Sequence, residues 1–279
     1  MTQERKEEDT VAYTVENGIA WVSFNRPEKR NCMSPKLNRQ KMRVLDTLEF
    51  DDSVGVLVLA GEGDAWSAGM DLKEYFRETE VLGLGRTRRA QSEAYGWWRR
   101  LRWYQKPTIA MVNGWCFGGA YGPLHACDLA FAAEDAQFRL SEINWGILPG
   151  GGATKVATNL LSMRNAMYHT MMGENIDGKM AAEWGLVNEA VSADALRGRV
   201  IEVANVLLQK NPVALKAAKD AVKRVAEMTY DNAEDYLIRA QEAANSFDND
   251  GRKEGIKQFI DDKTYKPRLG AYDRSRQND

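Results

Sequence analysis

Glu142 is the residue whose type and setting in this chain best suit acid–base chemistry. It is the single carboxylate in the glycine-rich segment LSEINWGILPGGG (140–152), which follows a second glycine-rich segment, NGWCFGGAYG (113–122). Glycine lets a backbone approach a ligand closely. Accessible N–H groups beside one desolvated acid are the parts that stabilise an oxyanion and move a proton. This combination predicts acyl chemistry that uses neither a metal nor a histidine base.

The composition favours a folded globular protein over other broad classes. Of the 279 residues, 44% are hydrophobic and 28% are charged, which allows a large core under a charged surface. The net charge of −2 argues against a general nucleic-acid binder. Cys32, Cys116 and Cys127 show no disulfide or metal-ligand pattern, and the polar start of the chain lacks a secretory signal. We therefore expect a cytoplasmic protein with no bound metal.

Alternating strand and helix patterns predict an α/β domain over residues 1–205. The dipeptide Asn17-Gly18 separates two strand-like runs and is typical of a hairpin turn. Ser34-Pro35 combines a helix N-cap with proline at the first helical position. The continuous apolar runs at 54–60 and 108–112 are typical of buried strands.

Two segments of this domain each allow two interpretations. The uncharged stretch 107–127 has the length of a membrane span, but prolines and glycines interrupt it, so we predict a buried strand, a turn and a helix. The segment 86–104 interleaves arginine with tryptophan, as single-strand nucleic-acid binders do. We favour an amphipathic helix with its tryptophans inward, because the acidic overall balance offers no wider basic surface. His125 is predicted to be a packed core histidine.

Residues 206–279 are predicted to form a separate helical region. Asn211-Pro212 again pairs an N-cap with proline, and the positions after it keep one apolar face. Asp231 with Glu234 resembles a capping box that opens a further helix.

Six strings in a fixed order carry a resemblance to a known family. They are NRPEKRNCMS (25–34), AWSAGMDLKEYF (65–76), KPTIAMVNGWCFGGAYG (106–122), CDLAFAAEDAQFRLSEINWGILPGGG (127–152), AAEWGLVNEAV (181–191) and KNPVALKAAK (210–219). Through these strings the chain resembles the crotonase superfamily of enoyl-CoA hydratases and isomerases. Its strings AGMDLKEYF and SEINWG are most similar to the hydroxycinnamoyl-CoA hydratase-lyases of that superfamily.

The resemblance implies a fold, an assembly and a reaction. The fold would be a crotonase-type ββα spiral core with a helical C-terminal trimerisation region, assembled as a homotrimer or a dimer of trimers. The substrate would be feruloyl-CoA or 4-coumaroyl-CoA, which is hydrated and then cleaved to an aromatic aldehyde and acetyl-CoA. No cofactor is implied beyond the CoA thioester of the substrate.

The resemblance also assigns roles at the reacting centre. The backbone N–H groups of Met70 and Gly119 would hold the thioester oxygen, and Glu142 would be the catalytic acid and base. Hydratases of the superfamily carry a second glutamate where this chain has Gly122, and hydratase-lyases are expected to have serine there. The chain departs from both patterns, so one carboxylate must carry out every proton transfer.

Further positions would contact the substrate. Tyr75 matches a tyrosine that binds the phenol, and Gly150 would lie against the aromatic ring. A second phenol-binding tyrosine aligns with Ile238, and Tyr236 is a possible replacement. The residues that would bind CoA, besides Met70 and Gly119, are Lys29, Ala68, Leu72, Ser141, Trp145, Phe259 and Lys263.

Two other functions stay open on the sequence alone. One is a simple enoyl-CoA hydratase, isomerase or thioesterase of the same superfamily. The other is an RNA-binding or catalytically silent homologue.

Overall fold

The computed structural model describes residues 6–8, 10–261 and 263, and the chain divides into two compact units. The first unit contains residues 1–104 and 108–201, and the second contains residues 105–107 and 202–279. The division falls inside one helix, α8 (Ala193–Leu208).

Two β-sheets form the framework of the first unit. A seven-stranded sheet has the order β1-β2-β3-β4-β6-β8-β11, and a four-stranded sheet has the order β10-β9-β7-β5. From β3 to β11 the neighbours in the larger sheet are parallel, and so are β5, β7 and β9 in the smaller one. The strands are β1 (Lys6–Glu8), β2 (Val11–Glu16), β3 (Ile19–Phe24), β4 (Val56–Gly61), β5 (Ala65–Ser67), β6 (Thr108–Val112), β7 (Trp115–Phe117), β8 (Leu129–Ala133), β9 (Gln137–Arg139), β10 (Ile176–Asp177) and β11 (Glu189–Val191).

The chain advances through this framework as a spiral. Each turn gives one strand to the larger sheet and the next to the smaller one: β4 then β5, β6 then β7, and β8 then β9. Successive turns stack closely, because a Cβ at Gly114 would lie 2.0 Å from the Asp64 carbonyl oxygen, a space that only glycine leaves free. The predicted repeat of two strands and a helix is therefore confirmed.

Helices connect the turns of the spiral and follow it. Ser34 caps the first helix as predicted, since its hydroxyl accepts a 3.2 Å hydrogen bond from the Leu37 N–H. Apart from α1, α3 and α8, the helices of the first unit have ten residues or fewer. Those that precede α8 are α1 (Pro35–Glu49), α2 (Glu78–Val81), α3 (Leu84–Arg102), α4 (Tyr121–Ala126), α5 (Ala153–Leu160), α6 (Met163–Met172) and α7 (Gly178–Glu183).

The local predictions for the first unit agree with its structure. Asn17 and Gly18 both have positive φ, at 51° and 81°, as a two-residue hairpin turn between β2 and β3 requires. The stretch 107–127 forms β6, β7 and α4. Within the described residues, no helix combines the length and the apolar character needed to cross a membrane.

Helix α3 is amphipathic, as the sequence indicates. Trp97 and Trp98 face inward, whereas Arg88 and Arg99 are exposed. The Trp97 and Trp98 rings are therefore not available to stack on bases as in single-strand binders. His125 is half-buried on α4, so the prediction of a packed core position is only partly right.

The second unit consists of the end of α8 and three further helices, α9 (Pro212–Val225), α10 (Tyr230–Phe247) and α11 (Asn249–Ile260). Asn211 caps α9 as predicted, with its side chain accepting a 3.0 Å hydrogen bond from the Ala214 N–H. The capping box at Asp231 is wrong, because Thr229 is the N-cap and α10 begins at Tyr230, two residues before the start that a cap at Asp231 requires. None of the residues described in α9 and α10 is buried.

Candidate active site

The residues predicted for the reacting centre lie at one edge of the smaller sheet. Met70 is three residues beyond the end of β5, Gly119 two beyond β7, and Glu142 three beyond β9. These strands are parallel and adjacent, with Ser67 paired to Cys116 and Phe117 paired to Arg139. Carboxyl ends of parallel strands meet at a common edge, where α/β sheets usually bind ligands. Three separate turns of the spiral therefore contribute to one place.

The Met70 and Gly119 amides lie side by side there. A Cβ built on Gly69, whose φ is +88°, would lie 3.1 Å from the Gly119 nitrogen, and one on Gly119 would lie 3.4 Å from the Met70 nitrogen. The residues flanking Met70 bond to Met33 instead: the Met33 N–H donates to the Gly69 carbonyl, and the Asp71 N–H donates to the Met33 carbonyl. Within the described residues, neither the Met70 nor the Gly119 N–H donates a hydrogen bond. Two adjacent unused donors are suited to bind an oxyanion.

The Glu142 carboxyl lies directly against the backbone of Gly118. A Cβ on Gly118 would lie 2.6 Å from Oε1 of Glu142, and Gly118 has a φ of +50°. The other oxygen, Oε2, is buried and has no hydrogen-bond partner among the described residues. Burial raises the pKa of this carboxyl above its ordinary value. An acid with a raised pKa and a free oxygen beside two unused N–H groups is suited to proton transfer.

Gly118 is a site residue that the sequence reasoning did not single out. We expect Gly118→Ala to lower kcat/KM by about 10², because the methyl group must displace the carboxyl by roughly 1 Å. The left-handed φ adds about 1–2 kcal/mol of backbone strain. Steady-state kinetics and a thermal melt measure the two effects.

Gly63→Ala is the matched control for this variant. Gly63 also has a positive φ, +72°, but a Cβ there meets only the Pro27 side chain, at 3.1 Å. The Gly63→Ala variant should therefore have a lower Tm than the wild type but an unchanged kcat/KM. Equal kinetic loss in both variants would show that strain alone, and not contact with Glu142, explains the effect of Gly118→Ala.

A buried ion pair holds the loop that carries Met70. Asp71 accepts hydrogen bonds from the N–H groups of Lys73 and Glu74, at 3.0 and 2.9 Å, and from the Arg26 guanidinium at 3.1 Å. Burial by itself would raise the pKa of Asp71, but these donors outweigh it and the pKa is lowered. The ionised Asp71 thereby fixes the backbone immediately after Met70.

The position of the missing second acid is occupied by an aromatic ring. A Cβ on Gly122 would lie 2.7–2.9 Å from three atoms of the Trp98 indole. No side chain fits at Gly122 unless Trp98 moves. Within the described residues, Glu142 is therefore the carboxylate that the structure brings to the glycine-rich turn after β7.

The residues predicted to bind the aromatic ring fall in both units. In the first, Tyr75 is 7% exposed and its ring meets that of Phe76 edge-on at 4.9 Å. Burial, with Tyr95 as a smaller cause, raises the pKa of Tyr75 to about 12, so its hydroxyl stays protonated at neutral pH. Gly150 is exposed. In the second unit, Tyr236 is half-buried and Ile238 is 51% exposed on α10.

The residues predicted to bind CoA are largely at the surface. Ala68 and Leu72 flank Met70, and Ser141 and Trp145 flank Glu142; Leu72 and Trp145 are each 55% exposed. The Ala68 N–H donates to the Arg30 carbonyl at 2.8 Å, which joins this loop to the turn that contains the exposed Lys29. In the second unit Phe259 is 59% exposed on α11, and the exposed Lys263 follows that helix.

A buried tyrosine–histidine pair lies behind the site. The Tyr121 hydroxyl, on α4, is 2.6 Å from Nε2 of His169, on α6, and both side chains are buried. Burial lowers the pKa of His169 to about 4, so the imidazole is neutral at physiological pH. This hydrogen bond joins α4, which follows Gly119, to α6.

The chain is similar to known proteins over most of its length. The family described as enoyl-CoA hydratase/isomerase matches residues 14–267. Hydroxycinnamoyl-CoA hydratase-lyase of Pseudomonas fluorescens is 53% identical over 267 residues, which is 95% of this chain and 97% of that protein. The 2,3-dehydroadipyl-CoA hydratase of Escherichia coli K12 is 30% identical, over 88% of this chain and 93% of that protein. An enoyl-CoA hydratase crystal structure from Polaromonas sp. JS666 superposes with a TM-score of 0.84 at 25% identity, covering 94% of this chain and 99% of that one.

Proposed function

We propose, from the premise that this chain belongs to the enoyl-CoA hydratase/isomerase family, that it is a hydroxycinnamoyl-CoA hydratase-lyase. The observation that carries the proposal is 53% identity, over nearly the full length of both chains, to a protein with that activity. The site offers one buried carboxylate beside two unused backbone donors, which are the groups that this reaction needs.

Hydration is the first half of the proposed reaction. The Glu142 carboxylate takes a proton from water, and the resulting hydroxide adds to the β-carbon of the acyl group. The electron pair moves to the thioester oxygen, where the Met70 and Gly119 N–H groups stabilise the enolate. Protonated Glu142 then returns its proton to the α-carbon, which completes a 3-hydroxyacyl-CoA.

Cleavage uses the same order of proton transfers, first from oxygen to Glu142 and then from Glu142 to the α-carbon. Glu142 accepts the β-hydroxyl proton while the Cα–Cβ bond breaks, which releases an aromatic aldehyde and the enolate of acetyl-CoA. The same two N–H groups hold that enolate until Glu142 protonates its α-carbon. A para-hydroxyl on the ring feeds electrons to the benzylic carbon, and in this proposal Tyr75 orients that hydroxyl.

Product analysis tests the function directly. The wild-type protein is incubated with feruloyl-CoA, 4-coumaroyl-CoA, cinnamoyl-CoA and crotonyl-CoA, and the products are identified by mass. Vanillin or 4-hydroxybenzaldehyde together with acetyl-CoA is the expected result. A stable 3-hydroxyacyl-CoA from every substrate would instead assign a simple hydratase, which the 30% identity to a hydratase keeps as the second candidate.

Tyr75→Phe tests the role of the phenol. We expect kcat/KM to fall about tenfold to a hundredfold for feruloyl-CoA and much less for cinnamoyl-CoA, which has no hydroxyl to bind. The reason is that a hydrogen bond to a charged group contributes about 1.5–3 kcal/mol. The ratio of the two kcat/KM values is the measurement. An equal loss on both substrates would mean that Tyr75 only packs.

The assembly and location complete the proposal. We propose a homotrimer or a dimer of trimers in the cytoplasm, working without a cofactor beyond the CoA of its substrate. Exposed apolar side chains on α10 and α11 support association, because monomers seldom leave such a face uncovered. Light scattering should give three or six times the chain mass. The apolar side chains are Leu237, Ile238, Phe247, Ile256, Phe259 and Ile260.

A further inference from the structure

Helix α6 ends at a carbonyl group that binds both flanks of the segment carrying Glu142. Gly173 is the C-cap of α6, and its carbonyl oxygen accepts a 2.7 Å hydrogen bond from Nε of Arg139. The same oxygen accepts a 3.0 Å hydrogen bond from Nδ2 of Asn144. Arg139 ends β9, and Asn144 follows Glu142 in the short 3₁₀ helix Ser141–Trp145. The two bonds therefore hold the segment on either side of the carboxyl.

The contact between α6 and this segment is close. A Cβ on Gly173 would lie 2.6 Å from Cγ2 of Ile143 and 2.9 Å from Oδ1 of Asn144. A carbonyl at a helix C-terminus has no partner within the helix and lies at the negative end of its dipole, so a guanidinium and an amide N–H are favourable partners for it. The end of α6 is thus suited to fix the segment in one position.

The same helix is bonded to the turn that carries the oxyanion donors. His169 on α6 lies 2.6 Å from the hydroxyl of Tyr121, and both side chains are buried. Tyr121 directly follows the 3₁₀ helix Gly118–Ala120, and its backbone N–H donates to the Gly118 and Gly119 carbonyls. The Glu142 carboxyl and the Gly119 N–H therefore share one support.

We propose that Arg139 and Asn144 are positioning residues that act through Glu142, by anchoring its segment to the Gly173 carbonyl of α6. The anchor keeps the carboxyl against the glycine turn after β7, beside the two unused N–H groups. A displacement of about 1 Å at a reacting group costs about 10² in rate, so the anchor affects the chemical steps directly. The inference rests on the acid–base role of Glu142 in the proposed function and applies to hydration and cleavage alike.

Asn144→Leu tests the anchor, because leucine is similar in size but donates no hydrogen bond and changes no charge. We expect kcat for hydration of cinnamoyl-CoA to fall about tenfold. The double variant Asn144→Leu/Arg139→Met loses both bonds, and its kcat should fall about a hundredfold. Arg139→Lys in place of Arg139→Met keeps a charged donor for the carbonyl and should recover part of that rate.

The acid midpoint of kcat/KM separates positioning from stability. Burial raises the pKa of Glu142, and a segment released from α6 exposes the carboxyl to water, so the midpoint in Asn144→Leu should fall towards 4.5. Two titratable groups face the site from α4 and α6. Burial, with smaller effects of Cys116 and Glu142, raises the pKa of Tyr121 well above its ordinary value, and burial lowers the pKa of His169 to about 4. Both groups are therefore neutral near the expected midpoint.

Asn113→Leu is the matched control. Nδ2 of Asn113 donates to the Gly63 carbonyl at 2.8 Å, which is again a bond from an asparagine amide to a glycine carbonyl. Asn113 precedes β7 and Gly119 follows it, so this bond lies at the other end of the strand from the reacting centre. Thermal melts should show a lower Tm in both leucine variants, but kcat and the acid midpoint should be unchanged in Asn113→Leu.

Gly173→Ala tests the same contact from α6 and serves if the double variant does not fold. Its methyl group must displace Ile143 and Asn144, so we expect a lower kcat and an acid midpoint shifted in the same direction as in Asn144→Leu.

Two results would overturn the inference. An acid midpoint that stays at the wild-type value in Asn144→Leu would make the bond to Gly173 purely structural, whatever the change in kcat. An equal shift of the midpoint in Asn113→Leu would assign the effect to a general loosening of the loops. Failure of the proposed function is separate: a wild-type protein that hydrates cinnamoyl-CoA but releases no aldehyde from feruloyl-CoA loses the lyase assignment, while the hydration assays still decide the role of Asn144.

Discussion

Glu142→Gln is expected to abolish both hydration and cleavage, with kcat lower by at least about 10²–10⁴. Glutamine keeps the shape of the side chain against Gly118 but neither accepts nor returns a proton. Since the structure brings no other carboxylate of the described residues to this turn, no neighbouring group replaces it. Stopped assays of aldehyde and of 3-hydroxyacyl-CoA measure both halves of the reaction. Near wild-type turnover in this variant would remove Glu142 from the mechanism.

The same substitution should not destabilise the protein. The pKa of Glu142 is raised in the folded state, so its contribution to stability is present at low pH and is lost as the pH rises through that raised pKa. At neutral pH the buried carboxylate is therefore unfavourable, and a neutral amide relieves it. We expect the Tm of Glu142→Gln to equal or exceed that of the wild type at pH 7.5.

The pH dependence of wild-type activity should show the same raised pKa of Glu142. The first proton transfer needs the ionised carboxylate, so kcat/KM should fall on the acid side with a midpoint above 4.5, the ordinary value for glutamate. A midpoint at or below that value would contradict the desolvated environment described for Glu142.

Gly119→Pro is expected to lower kcat by about 10²–10³, because proline has no N–H to donate to the thioester oxygen. Gly119 lies in the short 3₁₀ helix Gly118–Ala120 and, unlike Gly118, does not have a positive φ, which the proline ring could not adopt. The measurement is kcat on 4-coumaroyl-CoA, together with a circular dichroism spectrum to establish that the variant is folded.

Gly119→Ala separates loss of the N–H from added bulk. Alanine keeps the donor but introduces the same Cβ, which would lie 2.7 Å from Cγ of the flexible Met70 side chain. We expect kcat in this variant to fall less than in Gly119→Pro, since the Met70 side chain must shift to admit the methyl group but the N–H donor remains. Similar losses in alanine and proline variants would assign the effect to the Met70 contact and not to an oxyanion donor.

Local chemistry made much of the fold predictable. Asn17-Gly18, Ser34-Pro35 and Asn211-Pro212 each act within a few residues, and each forms the turn or cap that its residue types favour. Asp231 was wrongly assigned because acidic residues also favour the first helical turn, where it lies after Thr229. Sequence spacing does not distinguish a cap from a first-turn residue.

The contacts that shape the site were harder to predict. Met70, Gly119 and Glu142 were assigned through family resemblance, and parallel pairing of β5, β7 and β9 gives the physical reason for their meeting. The contacts of Gly118 with Glu142 and of Gly122 with Trp98 depend on segments 24 residues apart in both cases. No hydrophobic periodicity predicts such contacts, although the glycines indicated that another group approaches their backbone closely.

The spiral also separates the geometry of the site from the length of the chain. Met70, Gly119 and Glu142 each follow their own strand by two or three residues, and hydrogen bonds between those neighbouring strands set their relative positions.

 

Residues 68–114 connect Ser67, at the end of β5, to Trp115, at the start of β7. The intervening chain includes α2, α3 and the exposed junction at Leu82 and Gly83, where an added Cβ would meet nothing within 4 Å. Strand pairing, and not the path between the strands, sets where Met70 and Gly119 meet. Insertions at that junction are therefore compatible with an intact site. One residue added between Ser67 and Met70 would instead turn the Met70 N–H away from the Gly119 N–H. The length of the chain between the strands can therefore change in this fold while the Met70 and Gly119 backbones keep their relative positions.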